Sequence, residues 1–284
     1  MGQAGAAGLG VPNCNSGSVM MRTFALAFLL PFAMGMGSAL PALGEDMDEG
    51  AMNFAMHDAV YTTYHEIGHL FVSEFELPVL GKEEDAADAL AAVELLGPDA
   101  AEDASDVLVD AADGWYFNAV KTTGSGVDDL SYFDDHSLDI QRAYAMVCMI
   151  VGADPDWYGE VADAYDMDAE RQEDCAGVYE QAAIAWASML EPYLADGTEG
   201  ERVTVVYDDT EDYAAFRDEL EKRGILEAAA AQIESKYVLP RPITFRATEC
   251  EEANAYFSAE DAEITYCYEL AQSMYDMYLS DMAE

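Results

Sequence analysis

Basic residues are scarce in this chain. Twelve lysines and arginines stand against 57 aspartates and glutamates, a formal charge of −45. Nucleic-acid binding needs clustered Lys and Arg to neutralise phosphates, so that class is excluded. Anionic membrane surfaces are disfavoured for the same reason. Cysteine is also sparse, with five residues and no CxxC pair. A thiolate zinc site and a thioredoxin-like redox site are thereby set aside. Histidine occurs only four times, which gives weight to any clustering. Apolar residues are not lacking. At 51% of the chain they are too abundant for a disordered acidic tail and predict a packed core. The acidity then reads as a strongly solvated surface suited to salt, where self-repulsion is screened.

Long apolar runs are confined to the N-terminus. Residues 20–42 carry Arg22, a short apolar stretch Phe24–Phe32 and small residues at Ala39 and Ala42. This is the pattern of a signal peptide, too short for a membrane span. Residues 1–19 are Gly- and Ala-rich and read as an upstream extension, so 1–42 is expected to be leader. The expected location is exported, periplasmic or secreted, with no stable membrane insertion once the leader is cleaved. Four cysteines then remain, Cys148, Cys175, Cys250 and Cys267. An even count in an exported chain suggests two disulfides. Of three connectivities, Cys148–Cys175 and Cys250–Cys267 are favoured because each brackets a compact local unit. Each closed loop would stabilise by about 3 kcal/mol.

The remaining chain divides by composition near residue 200. Four basic residues (Lys82, Lys121, Arg142, Arg171) fall in 43–201 and seven in 202–246. Ala-rich segments with helical spacing predict helices over 53–75, 83–96, 99–112, 137–151, 155–165 and 168–194. Gly97-Pro98 stops the second, and Asp154-Pro155 starts the fifth. Thr122–Asp135 reads as a long loop. Beyond 200, Arg202–Tyr207, Ile243–Thr248 and Glu263–Tyr268 read as strands, with helices over 210–222, 225–237 and 269–282. EEANAYFSAEDA, before the third strand, reads as hairpin-type turn residues. The expected fold is α+β: a mainly helical unit (43–200) with a small α/β unit (201–284) completing the same domain.

Residues 65–69 read His-Glu-Ile-Gly-His. On a helix, positions i and i+4 lie about 40° apart on one face, one turn apart. His65 and His69 can therefore hold one ion, while Glu66 can take a proton from a metal-activated water. Zinc needs a third protein ligand and an open fourth position. A helix starting near Glu83 puts Glu84 and Asp88 on one face. Glu84 is the expected third ligand, and Asp88 the carboxylate that accepts the remaining N–H of a ligand histidine. Glu83 and Asp85 are the rival positions.

HEIGH, with Glu84-x-x-Ala-Asp88 downstream, resembles the gluzincin class of zinc metallopeptidases in compact form. YHEIGH, LPVLGKEEDAADALA, AADGWYF, DDHSLDIQRAYAMVC and NAY…EITYCYEL together resemble a bacterial family of exported proteins classed as metallopeptidases, known mainly as a domain of unknown function. The resemblance spans about residues 54–275. It implies one zinc per chain on His65, His69 and Glu84, with Glu66 as general base and a peptide or protein as substrate. It does not supply a particular substrate. Better-known zinc peptidases place a sheet before the HExxH helix, and its edge strand binds the peptide backbone. Too few residues precede His65 here, so one of the strands near 202–207, 243–248 or 263–268 must serve, in permuted order.

His136, in DDHSLDIQR, is the expected donor to the oxyanion of the tetrahedral intermediate, or else orients a ligand. Arg142 is expected to pair with Asp134, Asp135 or Asp139 as a structural salt bridge. His57 reads as a helix-surface residue, and Tyr61 and Tyr64 as core. Asn254, Tyr256 and Glu269 have a plain turn-and-strand reading beside a place lining the cleft. The leading function is zinc-dependent hydrolysis of peptide bonds. The alternative is a zinc-stabilised binding or scaffold protein without turnover, which the intact Glu66 argues against.

Overall fold

The computed structural model describes residues 47–98, 100, 104–123, 134–197 and 200–282. The expected leader and most of the expected loop at 122–135 lie outside them. Helix α1 (Glu49–Glu74) starts where the Asp48 carboxylate accepts the Ala51 N–H, four residues before the apolar periodicity suggested. It is apolar on almost every side. Phe54, Met56, Tyr61, Ile67, Leu70 and Phe71 are all fully buried. A helix buried all round belongs at the centre of a domain, and helices and strands from both halves of the chain pack on α1.

Around it run α2 (Glu83–Leu95), α3 (Ala104–Thr123), α4 (Asp139–Ala153), α5 (Pro155–Ala164) and α6 (Ala169–Leu190). Asp154 caps α5 ahead of Pro155, and Asp168 caps α6. α3 continues to Thr123, eleven residues beyond the expected end. Gly114 did not stop it, because a helical glycine costs only about 1 kcal/mol and its place against Phe54 lies in the core. Cys148 on α4 and Cys175 on α6 form one disulfide, with Cα atoms 5.0 Å apart. They sit where Gly152 meets the Cys175 carbonyl so closely that a side chain would not fit.

The chain then makes β1 (Val203–Tyr207), α7 (Ala214–Arg223), α8 (Ile225–Lys236), β2 (Ile243–Thr248), β3 (Ala255–Ser258), β4 (Glu263–Cys267) and α9 (Tyr268–Met277), closing with a π-helical turn over Tyr278–Met282. The sheet order is β1-β2-β4-β3, parallel except for the antiparallel β3–β4 pair. Along β2, Ile243, Phe245 and Ala247 are buried and alternate with half-buried Thr244, Arg246 and Thr248, so one face of the sheet packs on the core. Cys250 and Cys267 form the second disulfide, with Cα atoms 5.5 Å apart. The fold is α+β and mainly helical. β3 corrects the turn expected there: four residues among Asn, Ser and acidic neighbours carry no periodicity of their own, and their pairing with β4 makes the strand. No helix among the described residues is long and apolar enough to cross a membrane.

Candidate metal centre

α1 and α2 meet face to face at Gly68. A Cβ built there would lie 2.7 Å from the Ala87 Cα, so the two backbones touch only because this position lacks a side chain. Ala87 sits between Glu84 and Asp88, and the close approach delivers both carboxylates to the HEIGH face.

The His65 and His69 Nε2 atoms are 3.2 Å apart, and the Glu84 Oε2 is 3.2 Å from each. The His136 Nε2 lies 3.0 Å from the same oxygen. Glu83 reaches only the outer Nδ1 of His69, at 2.9 Å, and is half exposed. Asp85 faces a different cavity, between α2, α4 and α6. The structure thus brings His65, His69, Glu84 and His136 together and leaves Glu83 and Asp85 outside. Donors about 2.0–2.2 Å from a tetrahedral zinc lie about 3.3–3.5 Å from one another, so the His65–His69–Glu84 triangle has the dimensions of a ligand set. Two imidazoles and a carboxylate are also a donor chemistry that zinc accepts. Cys250, Cys267 and Glu269 cluster as well. There the sulfurs are bonded to each other, and Glu269 accepts the Cys250 and Glu251 N–H groups.

Asp88 organises the rear of the site. Its Oδ1 is 2.7 Å from the His65 Nδ1. It also accepts the Tyr61 hydroxyl at 2.5 Å and the Arg142 Nη2 at 2.6 Å, while Oδ2 accepts the Arg142 Nε at 2.8 Å. A carboxylate only accepts, so the His65 Nδ1 carries a proton toward Asp88, which leaves Nε2 as the nitrogen available to a metal. Arg142 therefore pairs with Asp88, not with Asp134, Asp135 or Asp139. It lies on the inward face of α4, 4% exposed, with its guanidinium 3.7 Å over the Trp115 ring. Burial selected the partner: a buried guanidinium needs a carboxylate at the same depth. Burial depresses the His65 imidazolium, but its hydrogen bonds to the Asp88 and Glu84 carboxylates outweigh that and raise the group to about 9. Burial also opposes the Asp88 carboxylate, yet His65 and Arg142 hold it well below the usual range.

Glu66 is 5% exposed and touches none of the ligand nitrogens by hydrogen bond among the described contacts. Burial raises its carboxyl, Glu84 adds to the rise, and the charges of His65 and His69 and the Phe257 N–H oppose it. That N–H comes from β3. The Cys267 N–H donates to the Asn254 carbonyl, so alternate β3 residues bond β4, and the backbone groups of Ala255 and Phe257 point the other way. β3 is paired on one side only among the described residues. A cleft of about 610 Å³ lies between this edge and the helices, lined by His65, Glu66, His69, Glu84, His136 and Tyr256 among others. The strand that lines this cleft is β3 (255–258), and none of the three strands named as candidates contributes to its lining.

The other singled-out residues have local tasks. His57 bonds Asp110 at 2.5 Å on the far side of α1, and Tyr64 bonds Gln232. The Asn254 side chain accepts the Ala255 N–H, while Tyr256 is 43% exposed at the cleft. Sequence reasoning missed Gly68, Lys82, Trp115 and the tie from Tyr61 to Asp88. Tyr61 carried a signal, one turn before His65 on the same helix face.

The HExxH helix, a carboxylate from the next helix and a glutamate held at a strand edge thus share one cleft whose donors could hold a metal ion. The chain belongs to the family described as "Putative metallopeptidase" (DUF4344), whose model matches residues 38–190 and 207–284. Nothing matches among curated proteins or among solved structures.

Proposed function

We propose that this protein is an exported zinc-dependent peptidase, with one zinc on His65, His69 and Glu84. The observation that carries the reading is Glu66, a buried carboxylate that is not part of the donor triangle yet opens on the same cleft, opposite a strand edge. Bound zinc would supply Lewis-acid polarisation of a carbonyl and of the attacking water. Glu66 takes the proton of that water, aided by a carboxyl raised through burial, and hands it to the leaving amine. The Phe257 N–H holds Glu66 in place. The carbonyls of Ala255 and Phe257 accept N–H groups of an extended peptide added to β3, which makes backbone rather than side chain the main determinant of binding. Asp88, backed by Arg142 and Tyr61, keeps His65 in the tautomer that offers Nε2. His136 donates to the oxyanion during turnover. The two disulfides suit a chain that works outside a reducing cytosol.

The test is Glu66→Gln. It is expected to retain one zinc per chain and the wild-type melting temperature while losing nearly all cleavage of a substrate first found by peptide-library digestion. Equal activity in wild type and Glu66→Gln would refute this mechanism. A zinc-replete wild type that cleaves nothing in the library would favour the scaffold reading.

A further inference from the structure

Three donors leave a catalytic zinc one open position, whereas four protein donors close it. Here a fourth nitrogen stands beside the triangle. The His136 Nε2 is 3.0 Å from the Glu84 Oε2, and the ligand atoms of His65, Glu84 and His136 all lie within 4.8 Å of one another. The other ring nitrogen is engaged: Nδ1 lies 3.3 Å from the Asp134 Oδ1, which also accepts the His136 N–H at 3.0 Å. With Nδ1 engaged by Asp134, Nε2 is the nitrogen turned to the donor cluster. Lys82, directly before α2, donates to the Asp134 and His136 carbonyls at 3.1 and 2.6 Å. It fastens this segment to the helix that carries Glu84.

We infer that His136 is the fourth protein donor of the resting metal centre, and that a peptide enters only when this side chain leaves. The inference rests on the zinc-site reading given above. A permanently closed site would be structural and would leave Glu66 without a task, so the question is whether His136 can leave. Its attachments allow it. The His136 side chain is 47% exposed, against 7% for His65. His65 sits on a buried helix behind Asp88 and Arg142, whereas His136 sits outside any helix, on a segment held by exposed hydrogen bonds. Exposed contacts of this kind hold a segment only weakly. Once withdrawn, the same imidazole is free for the oxyanion role.

The experiment uses the full chain carrying one cobalt(II) in place of zinc, with visible absorption reporting the donor set and competitive chelation reporting affinity. His136→Ala is expected to keep cobalt at one per chain but change the absorption spectrum. Its affinity should fall beyond the roughly 10–100-fold that loss of an outer-shell partner costs. Free imidazole should restore the wild-type spectrum in His136→Ala. Lys82→Met, which loosens the segment without touching a donor, should give a spectrum between the two. If His136→Ala matches wild type in spectrum and affinity, the fourth-donor inference is wrong. His65→Ala, in the same series, separates the two failures. Full cobalt retention in His65→Ala overturns the site itself, whereas loss there with an unaltered His136→Ala overturns only the fourth donor.

Discussion

Gly68→Ala is the sharpest probe of how the site is built. The added Cβ would stand 2.7 Å from the Ala87 Cα and 2.9 Å from its Cβ, where ordinary contact begins at 3.4 Å. Backbone cannot swing aside as a flexible side chain can, so α2 must retreat by about 0.7 Å, the difference between 3.4 and 2.7 Å. Overpacking of this kind costs about 1–3 kcal/mol, and for a domain of this size each kcal/mol lowers Tm by about 2–4 °C. The retreat carries Glu84 away from both imidazoles and Asp88 away from His65. Zinc affinity is therefore expected to fall by about 10-fold or more. Thermal melting of the metal-free protein and competition with a chromophoric chelator measure the two effects separately. Gly114→Ala is the control. Its Cβ meets Phe54 at 3.5 Å, an ordinary contact, so gained helix propensity should leave the protein at least as stable and zinc binding unchanged. If Gly68→Ala behaves like Gly114→Ala in both assays, the close approach of the helices does not build the site.

Glu84→Gln should lose zinc, while Glu83→Gln should retain it, since only Glu84 reaches both Nε2 atoms; metal analysis after dialysis decides, and the reverse result would move the ligand by one position. Arg142→Met should destabilise by about 3–5 kcal/mol in chemical denaturation, because Asp88 loses its buried cation, and should weaken zinc binding by about 10–100-fold. Arg142→Lys should recover only part of either, lacking the fork and the stacking on Trp115; complete recovery would mean that charge alone matters. Asp58 is raised by burial, against the pull of Arg142 and a Thr62 hydrogen bond, from the ordinary 3.8 to about 7, and its Oδ2 has no hydrogen-bond partner among the described residues. The unfolded chain releases this proton near pH 4 and the folded chain only near 7. Stability should thus fall as pH rises through that window, by up to about 4 kcal/mol. Urea midpoints of Asp58→Asn relative to wild type should therefore be higher at pH 8 than at pH 5, and a difference independent of pH would exonerate Asp58.

His65, Glu66 and His69 were legible in the sequence because one helix carries all three, and helical spacing is a local property. Glu84 and Asp88 were legible for a related reason: they share a face of the next helix, and a short connection brings adjacent helices together. The cysteine pairings followed from proximity along the chain. What tertiary structure alone decided involves partners distant in sequence. Arg142 meets Asp88 across 54 residues; of the nearby aspartates favoured by sequence, Asp134 and Asp135 are exposed while the guanidinium is buried, and Asp139 is held by Asn118. β3 exists because β4 lends it hydrogen bonds. It reaches Glu66 only because the sheet folds back on α1, about 180 residues after that helix ends. His136 stands against Glu84 because Lys82 fastens its backbone there. Local periodicity specifies which face a helix buries, but the depth of a charge, the edge of a sheet and the anchoring of a segment depend on what packs around them.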